Sequence, residues 1–265
     1  MRVVTETWWS EALGRQKSVN VVLPPGYAPT ARPFPVLYLL HSYGGNRHTW
    51  LTCPSLADRV AAHRLILVLP ESGRYWLVND AGGRRYEDYF IHDVVGRVEK
   101  RYNTVASRSG RAVAGFSMGG ATSLFQTLRH PDLFAVAGSH SGAFEAPLRE
   151  GDPYARYRSD RRLMMPTVRD HERVWGPVGS TVRRTYDPYR LLADKDPEAP
   201  LRFYLDVGSD DYERMIEMNR NIRDVLTAQG VSHEYHERPG GHDWSFVDAG
   251  LPRLFDFVRE NVCTA

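Results

Sequence analysis

The residues of this chain that most clearly suggest chemistry form a glycine-rich run around one serine. Gly115–Gly120 reads Gly-Phe-Ser-Met-Gly-Gly, a G-x-S-x-G pentapeptide with a further glycine after it. The apolar run Ala112–Ala114 precedes it, and Ala121–Gln126 follows as the start of a helix. This context predicts a sharp strand–turn–helix connection that exposes the Ser117 hydroxyl as a nucleophile, with glycines where the turn is crowded. The alternative is a helix N-terminus that merely happens to be rich in glycine.

Downstream of this serine, one histidine and two aspartates are placed to supply the base and the orienting carboxylate that a serine nucleophile requires. His242 lies in a glycine-flanked loop after the predicted strand His233–Glu237. Asp210 and Asp211 directly follow the predicted strand Leu201–Val207. Both positions are carboxyl ends of strands, and in open α/β sheets the ligand-binding crevice lies at the carboxyl ends of the strands. Either aspartate could orient the histidine, and the other could cap the following helix.

Two backbone N–H groups are candidates for stabilising the oxyanion that forms during acyl transfer. One belongs to Met118, the residue after the serine. The other is expected where Leu39–Gly45 passes from apolar residues into glycines, and we assign it to Tyr43. An ordinary glycine turn would show the same sequence. Nearby side chains that are candidates for contacting a substrate are His41, Ser42, Trp50 and Trp76.

Short apolar runs rich in β-branched residues recur along the chain, and most precede a longer stretch with helical character. The alternation predicts an α/β fold with a mostly parallel central sheet and helices on both faces. The runs Val36–Leu40 and Leu65–Leu69 are apolar throughout, which is typical of central strands covered on both faces. An antiparallel hairpin about Gly14 is expected at one edge. The predicted strands are Ser18–Leu23, Pro35–Leu40, Leu65–Leu69, Arg111–Gly115, Phe134–Ala137, Leu201–Val207 and His233–Glu237.

One segment, residues 147–188, breaks this alternation and shows little periodicity. We interpret it as an excursion over the edge of the sheet within a single domain of residues 1–265. Residues 149–190 contain ten arginines, no lysine and six carboxylates, a local charge of +4. This stretch is either a solvated surface or an arginine-rich lid that meets an anionic or sugar-bearing ligand. The predicted helices lie outside it, at Ser55–Arg64, Tyr86–Tyr102, Met118–Arg129, Tyr212–Gln229 and Gly250–Asn261.

Composition and charge exclude several classes of protein. The chain has 265 residues, 42% hydrophobic and 25% charged, which is typical of globular domains. Its 34 lysines and arginines against 32 aspartates and glutamates leave a net charge of +2, too little for a nucleic-acid partner. Cys53 and Cys263 lack zinc-site spacing and are expected to be free thiols, and no metal is expected. Without a run long and apolar enough for a signal peptide or a membrane span, the sequence favours a soluble cytoplasmic protein.

Taken together, these blocks resemble the Putative esterase family of the α/β-hydrolase superfamily, which includes S-formylglutathione hydrolase (esterase D), feruloyl, acetyl-xylan and tributyrin esterases, and the antigen 85 mycolyltransferases. The resemblance implies Ser117 as nucleophile and His242 as base, and it places the acid at Asp211, fourth in G-x-x-D. It puts the second oxyanion donor at Tyr43. We call residues 42–45, which carry this donor, the oxyanion loop. The family usually has glycine where this chain has Ser42, so the chain departs from the family pattern in this loop. The matching blocks are Val36–His41, Tyr86–Tyr89, Gly115–Gly120, Asp187-Pro188, Gly208–Asp211 and Gly241–Asp243.

The resemblance implies a serine carboxylesterase that hydrolyses short acyl or aryl esters through an acyl-enzyme, with a small-molecule ester as substrate and no cofactor. The same residues would also serve a thioesterase of the S-formylglutathione hydrolase type or an acyltransferase. Pocket shape and the access of water decide among these reactions. A non-catalytic binding protein on the same fold is a third interpretation, and such proteins usually lack one of the three reactive residues.

Overall fold

Eight strands form one sheet in the computed structural model, which describes residues 1–151, 165–196 and 200–262. The strands are β1 (Arg2–Ser10), β2 (Arg15–Leu23), β3 (Val36–Leu40), β4 (Ile66–Leu69), β5 (Arg111–Phe116), β6 (Val136–His140), β7 (Arg202–Gly208) and β8 (Ser232–Arg238). Their spatial order is β1-β2-β4-β3-β5-β6-β7-β8. The hairpin β1–β2 and the pair β2–β4 are antiparallel, and every other pair is parallel. The mostly parallel sheet is therefore present, and an antiparallel hairpin about Gly14 lies at its edge, although β1, the first strand of that hairpin, was not among the predicted strands.

Helices connect most of the parallel strands. They are α1 (Leu56–His63), α2 (Tyr86–Asp88), α3 (Gly96–Arg101), α4 (Met118–Arg129), α5 (Val168–Trp175), α6 (Thr181–Thr185), α7 (Pro188–Ala193), α8 (Glu213–Ala228) and α9 (Trp244–Asn261). Helix α4 has the predicted bounds, and α1 and α8 end within one residue of theirs. Among the described residues, no helix combines the length and the apolar character that crossing a membrane requires.

The two faces of the sheet carry separate apolar layers because side chains alternate along each strand. In β3, Tyr38 and Leu40 belong to one layer, whereas Leu37 and Leu39 belong to the other. Helices α3, α4 and α8 cover the first layer, and α1 and α9 cover the second. Covering on both faces explains why β3, β4 and β5 are buried along their whole length. Cys53 is a buried free thiol in the second layer, and Cys263 lies outside the described residues.

Two helix predictions differ from the structure. Helix α9 begins at Trp244 rather than at Gly250, because the Asp243 carboxylate caps it by accepting a hydrogen bond from the Phe246 N–H at 2.9 Å. The predicted helix Tyr86–Tyr102 is divided into α2, a π-helical stretch Tyr89–Val95, and α3. Within that stretch the buried Asp93 accepts a hydrogen bond from Ser10 at 2.5 Å, which ties the wider turn to the end of β1.

Segment 147–188 contains the short helices α5, α6 and the start of α7, which its weak periodicity did not indicate. Local capping stabilises them. At the start of α5 the Thr167 hydroxyl accepts from the Asp170 N–H, and the Asp170 carboxylate accepts from the Thr167 N–H. The Asp187 carboxylate caps α7 by accepting hydrogen bonds from the N–H groups of Tyr189 and Arg190. These side-chain contacts replace the long apolar stripe by which a helix is usually recognised.

The arginine-rich lid expected in this segment is not confirmed. Arg183 is buried, and its guanidinium donates hydrogen bonds to the carbonyl oxygens of Pro147, Arg149 and Gly176 at 2.7 to 3.0 Å. This arginine therefore ties the segment together instead of meeting a ligand. Residues 152–164, which carry four of the ten arginines, lie outside the described residues.

Candidate active site

Ser117 stands on the tight connection between β5 and α4. Its backbone has φ +55° and ψ −110°, a conformation that residues with a side chain rarely adopt. Besides the first hydrogen bond of α4, from the Ala121 N–H to the Ser117 carbonyl oxygen at 3.0 Å, two hydrogen bonds to β6 and the loop after it hold it there. The Ser117 N–H donates to the His140 carbonyl oxygen at 2.9 Å, and the Ala143 N–H donates to the Ser117 carbonyl oxygen at 3.1 Å. The end of β6 and the loop after it therefore fix the serine at the apex of the turn.

The glycines around the serine are required by close backbone packing. A Cβ atom on Gly115 would lie 2.3 Å from the carbonyl carbon of Gly119, and one on Gly119 would lie 2.2 Å from the carbonyl oxygen of Leu40. A Cβ on Gly120 would lie 2.4 Å from the Ser139 hydroxyl oxygen. All three distances are far shorter than a van der Waals contact, so α4 rests directly on β5 and on the end of β3. The positions of Gly115, Gly119 and Gly120 in the motif are thus the positions where the packing of α4 leaves no room for a Cβ atom.

The structure brings Ser117, His242 and Asp211 into one hydrogen-bonded chain. The His242 Nε2 atom lies 2.9 Å from the Ser117 Oγ atom, and its Nδ1 atom lies 3.0 Å from the Asp211 Oδ2 atom. The Asp211 side chain is fully buried, and its other oxygen accepts a hydrogen bond from the Tyr212 N–H at 2.7 Å. Because a carboxylate only accepts, the Nδ1 atom carries the proton and Nε2 is free to accept from the serine hydroxyl.

Of the two adjacent aspartates, only Asp211 contacts the imidazole of His242. The Asp210 carboxylate instead accepts a hydrogen bond from the Gly240 N–H at 3.3 Å, and the Asp210 N–H donates to the Gly240 carbonyl oxygen at 2.9 Å. A Cβ atom on Gly208 would lie 2.1 Å from that same carbonyl oxygen. Asp210 and Gly208 thus join the loop after β7 to the loop after β8, and Asp211 is left to face the histidine.

Aromatic rings enclose the imidazole of His242. The Phe116 ring lies 4.7 Å from it and the Tyr212 ring lies 5.4 Å from it, measured between ring centroids. Trp244 packs edge-on against Phe116 at 5.1 Å. These rings restrict the orientation of the histidine. Sequence reasoning did not assign them, although each is the direct or second neighbour of a predicted reactive residue.

The two predicted oxyanion donors belong to neighbouring parts of the fold, the first turn of α4 and the loop after β3. Met118 is the first residue of α4, so its N–H has no partner within the helix. Tyr43 lies in the loop after β3, and no residue in the described parts of the chain accepts a hydrogen bond from its N–H. The close approach of Gly119 to Leu40 brings this loop beside the first turn of α4.

The four predicted substrate-contacting side chains have different surroundings. Trp50 is buried and packs edge-on against Trp244 at 5.1 Å, in the layer below the site. His41 is also buried and hydrogen-bonds to backbone atoms. Trp76 is buried beside α4, where its carbonyl oxygen accepts a hydrogen bond from the Thr122 hydroxyl at 2.8 Å. Ser42 is half-buried in the oxyanion loop.

An aromatic and arginine cluster borders the oxyanion loop. The Arg74 guanidinium lies 5.7 Å from the centre of the Tyr43 ring. Arg84 and Arg173 lie 4.4 and 5.5 Å from the centre of the Tyr75 ring. Burial, with the Asp170 carboxylate nearby, raises the pKa of Tyr43 to about 12, so this phenol is neutral at physiological pH. The loop after β3 is thus bordered by arginine side chains, and Tyr43 is not a second nucleophile beside Ser117.

A buried ionic network below the site was not expected from the sequence. The Asp206 carboxylate in β7 accepts hydrogen bonds from His140 Nδ1, the Tyr204 hydroxyl and the Arg238 guanidinium, each at 2.8 Å. Asp206 and His140 are fully buried. The charged residue inside the apolar run of β7 was the signal that could have revealed it, because an unpaired buried carboxylate is too costly to occur.

A metal centre is not formed by the residues that the structure describes. Among them, no three histidine, cysteine, aspartate or glutamate side chains come together as a potential ligand set. The polar groups of the site are those of a serine, a histidine, an aspartate and backbone N–H donors. Such a set can activate a hydroxyl, stabilise a tetrahedral oxyanion and shuttle one proton.

Comparison with known proteins identifies the family of the chain. Residues 10–254 match the family described as Putative esterase. The chain belongs to this family. The match includes both predicted oxyanion donors and all three members of the hydrogen-bonded chain.

Two curated proteins and one solved structure are similar to the chain over most of its length. Esterase Rv1288 of Mycobacterium tuberculosis is 32% identical over 257 residues, covering 88% of this chain and 54% of that protein. The chain therefore spans about half the length of this curated relative. The acetyl esterase of Caldicellulosiruptor saccharolyticus is 22% identical, with 98% of this chain and 99% of that protein covered. The solved structure of FphF, a fluorophosphonate-binding serine hydrolase of Staphylococcus aureus, superimposes with a TM-score of 0.80 at 24% identity, covering 97% and 98% of the two chains. This esterase-family protein has the α/β-hydrolase fold.

Proposed function

We propose that this protein is a serine carboxylesterase that cleaves small-molecule esters with short acyl groups. The observation that carries the proposal is the unbroken hydrogen-bonded chain from the Ser117 hydroxyl through His242 to the buried Asp211. Family membership and the names of the esterase relatives support it, and the acetyl esterase relative favours a short acyl group. One continuous sheet supports a single domain.

Acylation follows from the geometry. The Ser117 Oγ atom attacks the ester carbonyl carbon while its proton passes to His242 Nε2, 2.9 Å away. Asp211 holds the imidazole in the reactive tautomer and stabilises the imidazolium that forms. The Met118 and Tyr43 N–H groups donate to the oxyanion. The tetrahedral intermediate then collapses, and the departing alcohol takes the proton from His242.

Deacylation repeats these steps with water. His242 takes a proton from a water molecule as its oxygen attacks the acyl-enzyme carbonyl carbon. The new tetrahedral intermediate expels Ser117, which recovers its proton from His242, and the carboxylic acid leaves. No cofactor takes part in any step of this proposal.

The test is hydrolysis of p-nitrophenyl esters from acetate to decanoate by the wild type and by Ser117→Ala. We expect turnover to be greatest for the short esters and to fall by at least about 10³-fold in the variant, because the nucleophile is removed. S-formylglutathione in the same plate, and an added acceptor alcohol, reveal thioesterase or transferase activity. Undiminished turnover by a folded Ser117→Ala variant would contradict the proposal.

The adjacent aspartates provide a matched pair for the third residue. Asp211→Asn removes the carboxylate that orients His242, and we expect kcat to fall by about 10³ to 10⁴. Asp210→Asn keeps an oxygen that can accept from the Gly240 N–H, and we expect kcat within about threefold of the wild type. Equal losses in the two variants would rule out a specific role for Asp211.

A further inference from the structure

His41, the last residue before the oxyanion loop, makes one hydrogen bond with each ring nitrogen. Its Nε2 atom accepts from the Ser72 N–H at 2.9 Å, and its Nδ1 atom lies 2.7 Å from the Ser42 carbonyl oxygen. An amide N–H only donates, so Nε2 must be unprotonated. The proton of the neutral ring is therefore on Nδ1, and His41 donates it to the Ser42 carbonyl oxygen.

That carbonyl belongs to the same peptide group as the Tyr43 N–H. The Ser42–Tyr43 peptide is trans, so its C=O and N–H bonds point in opposite directions within one plane. The Ser42 oxygen also accepts from the Gly45 N–H at 2.9 Å. Two donors on the carbonyl side therefore determine where the N–H points, and the Tyr43 N–H has no acceptor among the described residues.

The surroundings of His41 hold this peptide rigidly beside the nucleophile. A Cβ atom on Gly45 would lie 3.0 Å from both Cβ and Nδ1 of His41, so the loop packs tightly on the ring. The Gly44 N–H donates to the Gly73 carbonyl oxygen at 2.9 Å, which joins the oxyanion loop to the next loop. On the other side, a Cβ on Gly119 would lie 2.8 Å from the His41 carbonyl oxygen.

We propose that His41 is a positioning residue of the oxyanion site: its Nδ1–H holds the Ser42 carbonyl so that the Tyr43 N–H points at the substrate's carbonyl oxygen. The inference rests on the proposed esterase function. It replaces the expectation that His41 contacts the substrate, since the ring is buried and both nitrogens are engaged by the backbone. Accepting hydrogen bonds at the carbonyl also polarises the peptide, which makes its N–H a stronger donor.

The ring remains neutral under assay conditions. Burial lowers the pKa of His41 to about 4, and the hydrogen bond to Ser42 and the charge of Glu71 only partly oppose this. Lys17, on the neighbouring strand β2, also disfavours the imidazolium. The acceptor at Nε2 and the donor at Nδ1 therefore coexist at neutral pH.

Two substitutions separate the two hydrogen bonds of the ring. The amide nitrogen of asparagine is two bonds from Cβ, as Nδ1 is in histidine, so His41→Asn keeps the donor to Ser42 and loses the acceptor for Ser72. The amide oxygen of glutamine is three bonds from Cβ, as Nε2 is, so His41→Gln keeps that acceptor and loses the donor. If His41 only stabilised the fold, the Asn and Gln variants would not differ in kcat/KM.

We expect kcat/KM for the best p-nitrophenyl ester to fall by about 10²-fold in His41→Gln and by less than about fivefold in His41→Asn, because one oxyanion donor is misaimed only in the former. Affinity for the trifluoromethyl ketone with the same acyl chain, which forms an oxyanion on the serine, should fall in parallel. Both variants are assayed well below their unfolding temperatures. Equal kcat/KM values in the two variants, or a loss confined to Asn, would overturn the proposal.

A measurement on the wild type keeps the proposal testable even if a variant does not fold. ¹⁵N NMR of histidine-labelled protein should show His41 as the Nδ1–H tautomer at pH 7, and the Nε2–H tautomer would overturn it. Ser117→Ala in the same ester assay separates this proposal from the proposed function. If Ser117→Ala is inactive while the two His41 variants match the wild type, the esterase function stands and the positioning role fails.

Discussion

At the scale of single residues, the site depends on hydrogen bonds that allow one assignment of protons. Asp211 can only accept, so His242 carries its proton on Nδ1 and presents Nε2 to Ser117. The Ser72 N–H can only donate, so His41 carries its proton on Nδ1 as well. The same tautomer therefore serves two purposes, one ring facing the nucleophile and the other fixing a backbone donor.

The buried state of His41 predicts how the stability of the protein depends on pH. Its pKa is about 4 in the folded protein and about 6.5 in the unfolded chain. Between these values the unfolded state binds more protons, so the free energy of unfolding decreases as the pH is lowered from 6.5 to 4. A difference of 2.5 pKa units corresponds to about 3 kcal/mol from this residue.

Urea unfolding at pH 7 and at pH 4 checks this expectation. The free energy of unfolding should fall by about 3 kcal/mol more in the wild type than in His41→Asn, which has no ionisable group there. The comparison cancels the other titrating groups because the two proteins share them. Parallel pH profiles for the two proteins would show that His41 is not kept neutral by burial.

At the scale of elements, the sequence predicts the buried strands correctly, but it does not predict features that depend on single side-chain contacts. The apolar runs of β3 and β4 identified central strands because helices cover both faces. Helix α9 starts at Trp244, six residues before the predicted start, because Asp243 caps it, and a single capping residue does not alter the hydrophobic periodicity. The positions of Asp210 and Asp211 after β7 left both open as the orienting carboxylate, and only the family resemblance favoured Asp211. Their difference arises from contacts between two loops about thirty residues apart in the chain, which local pattern reasoning does not register.

The contact between α4 and β3 predicts opposite effects for two glycine substitutions. Gly119→Ala would place a Cβ atom 2.2 Å from the Leu40 carbonyl oxygen, so the helix must move away from the strand. We expect the free energy of unfolding to fall by about 3 kcal/mol and esterase activity to be lost, because the same shift moves Met118. Urea unfolding and the p-nitrophenyl ester assay measure both effects.

Gly96→Ala in α3 is the matched control. A Cβ atom at Gly96 meets nothing within 4 Å, and the backbone there is helical, with φ −63°. We expect this variant to be more stable than the wild type by about 0.5 to 1 kcal/mol, with full activity. Destabilisation by Gly96→Ala comparable to that of Gly119→Ala would show that the close contact is not the cause.

At the scale of the whole molecule, the site is assembled where several parallel strands end together. Ser117 follows β5, Asp211 follows β7 and His242 follows β8, and the oxyanion loop follows β3. The network of Asp206, His140, Tyr204 and Arg238 joins β6, β7 and β8 just below these loops. Burial alone would raise the pKa of Asp206, but His140 and Arg238 hold it below its usual value, so the carboxylate is ionised.

This network predicts that a substitution outside the reactive residues lowers stability and activity together. Asp206→Asn removes the buried charge that pairs with Arg238, the last residue of β8 before the loop to His242. We expect the free energy of unfolding to fall by about 3 to 5 kcal/mol. We also expect kcat to fall at temperatures where the variant is still folded, because Arg238 no longer holds the start of the loop that carries His242.

Glu237→Gln is the control variant. It breaks the exposed ion pair with Arg220 and should leave both the free energy of unfolding and kcat near their wild-type values. If Asp206→Asn unfolds at a lower urea concentration yet keeps its full kcat, the network stabilises the sheet without holding the site.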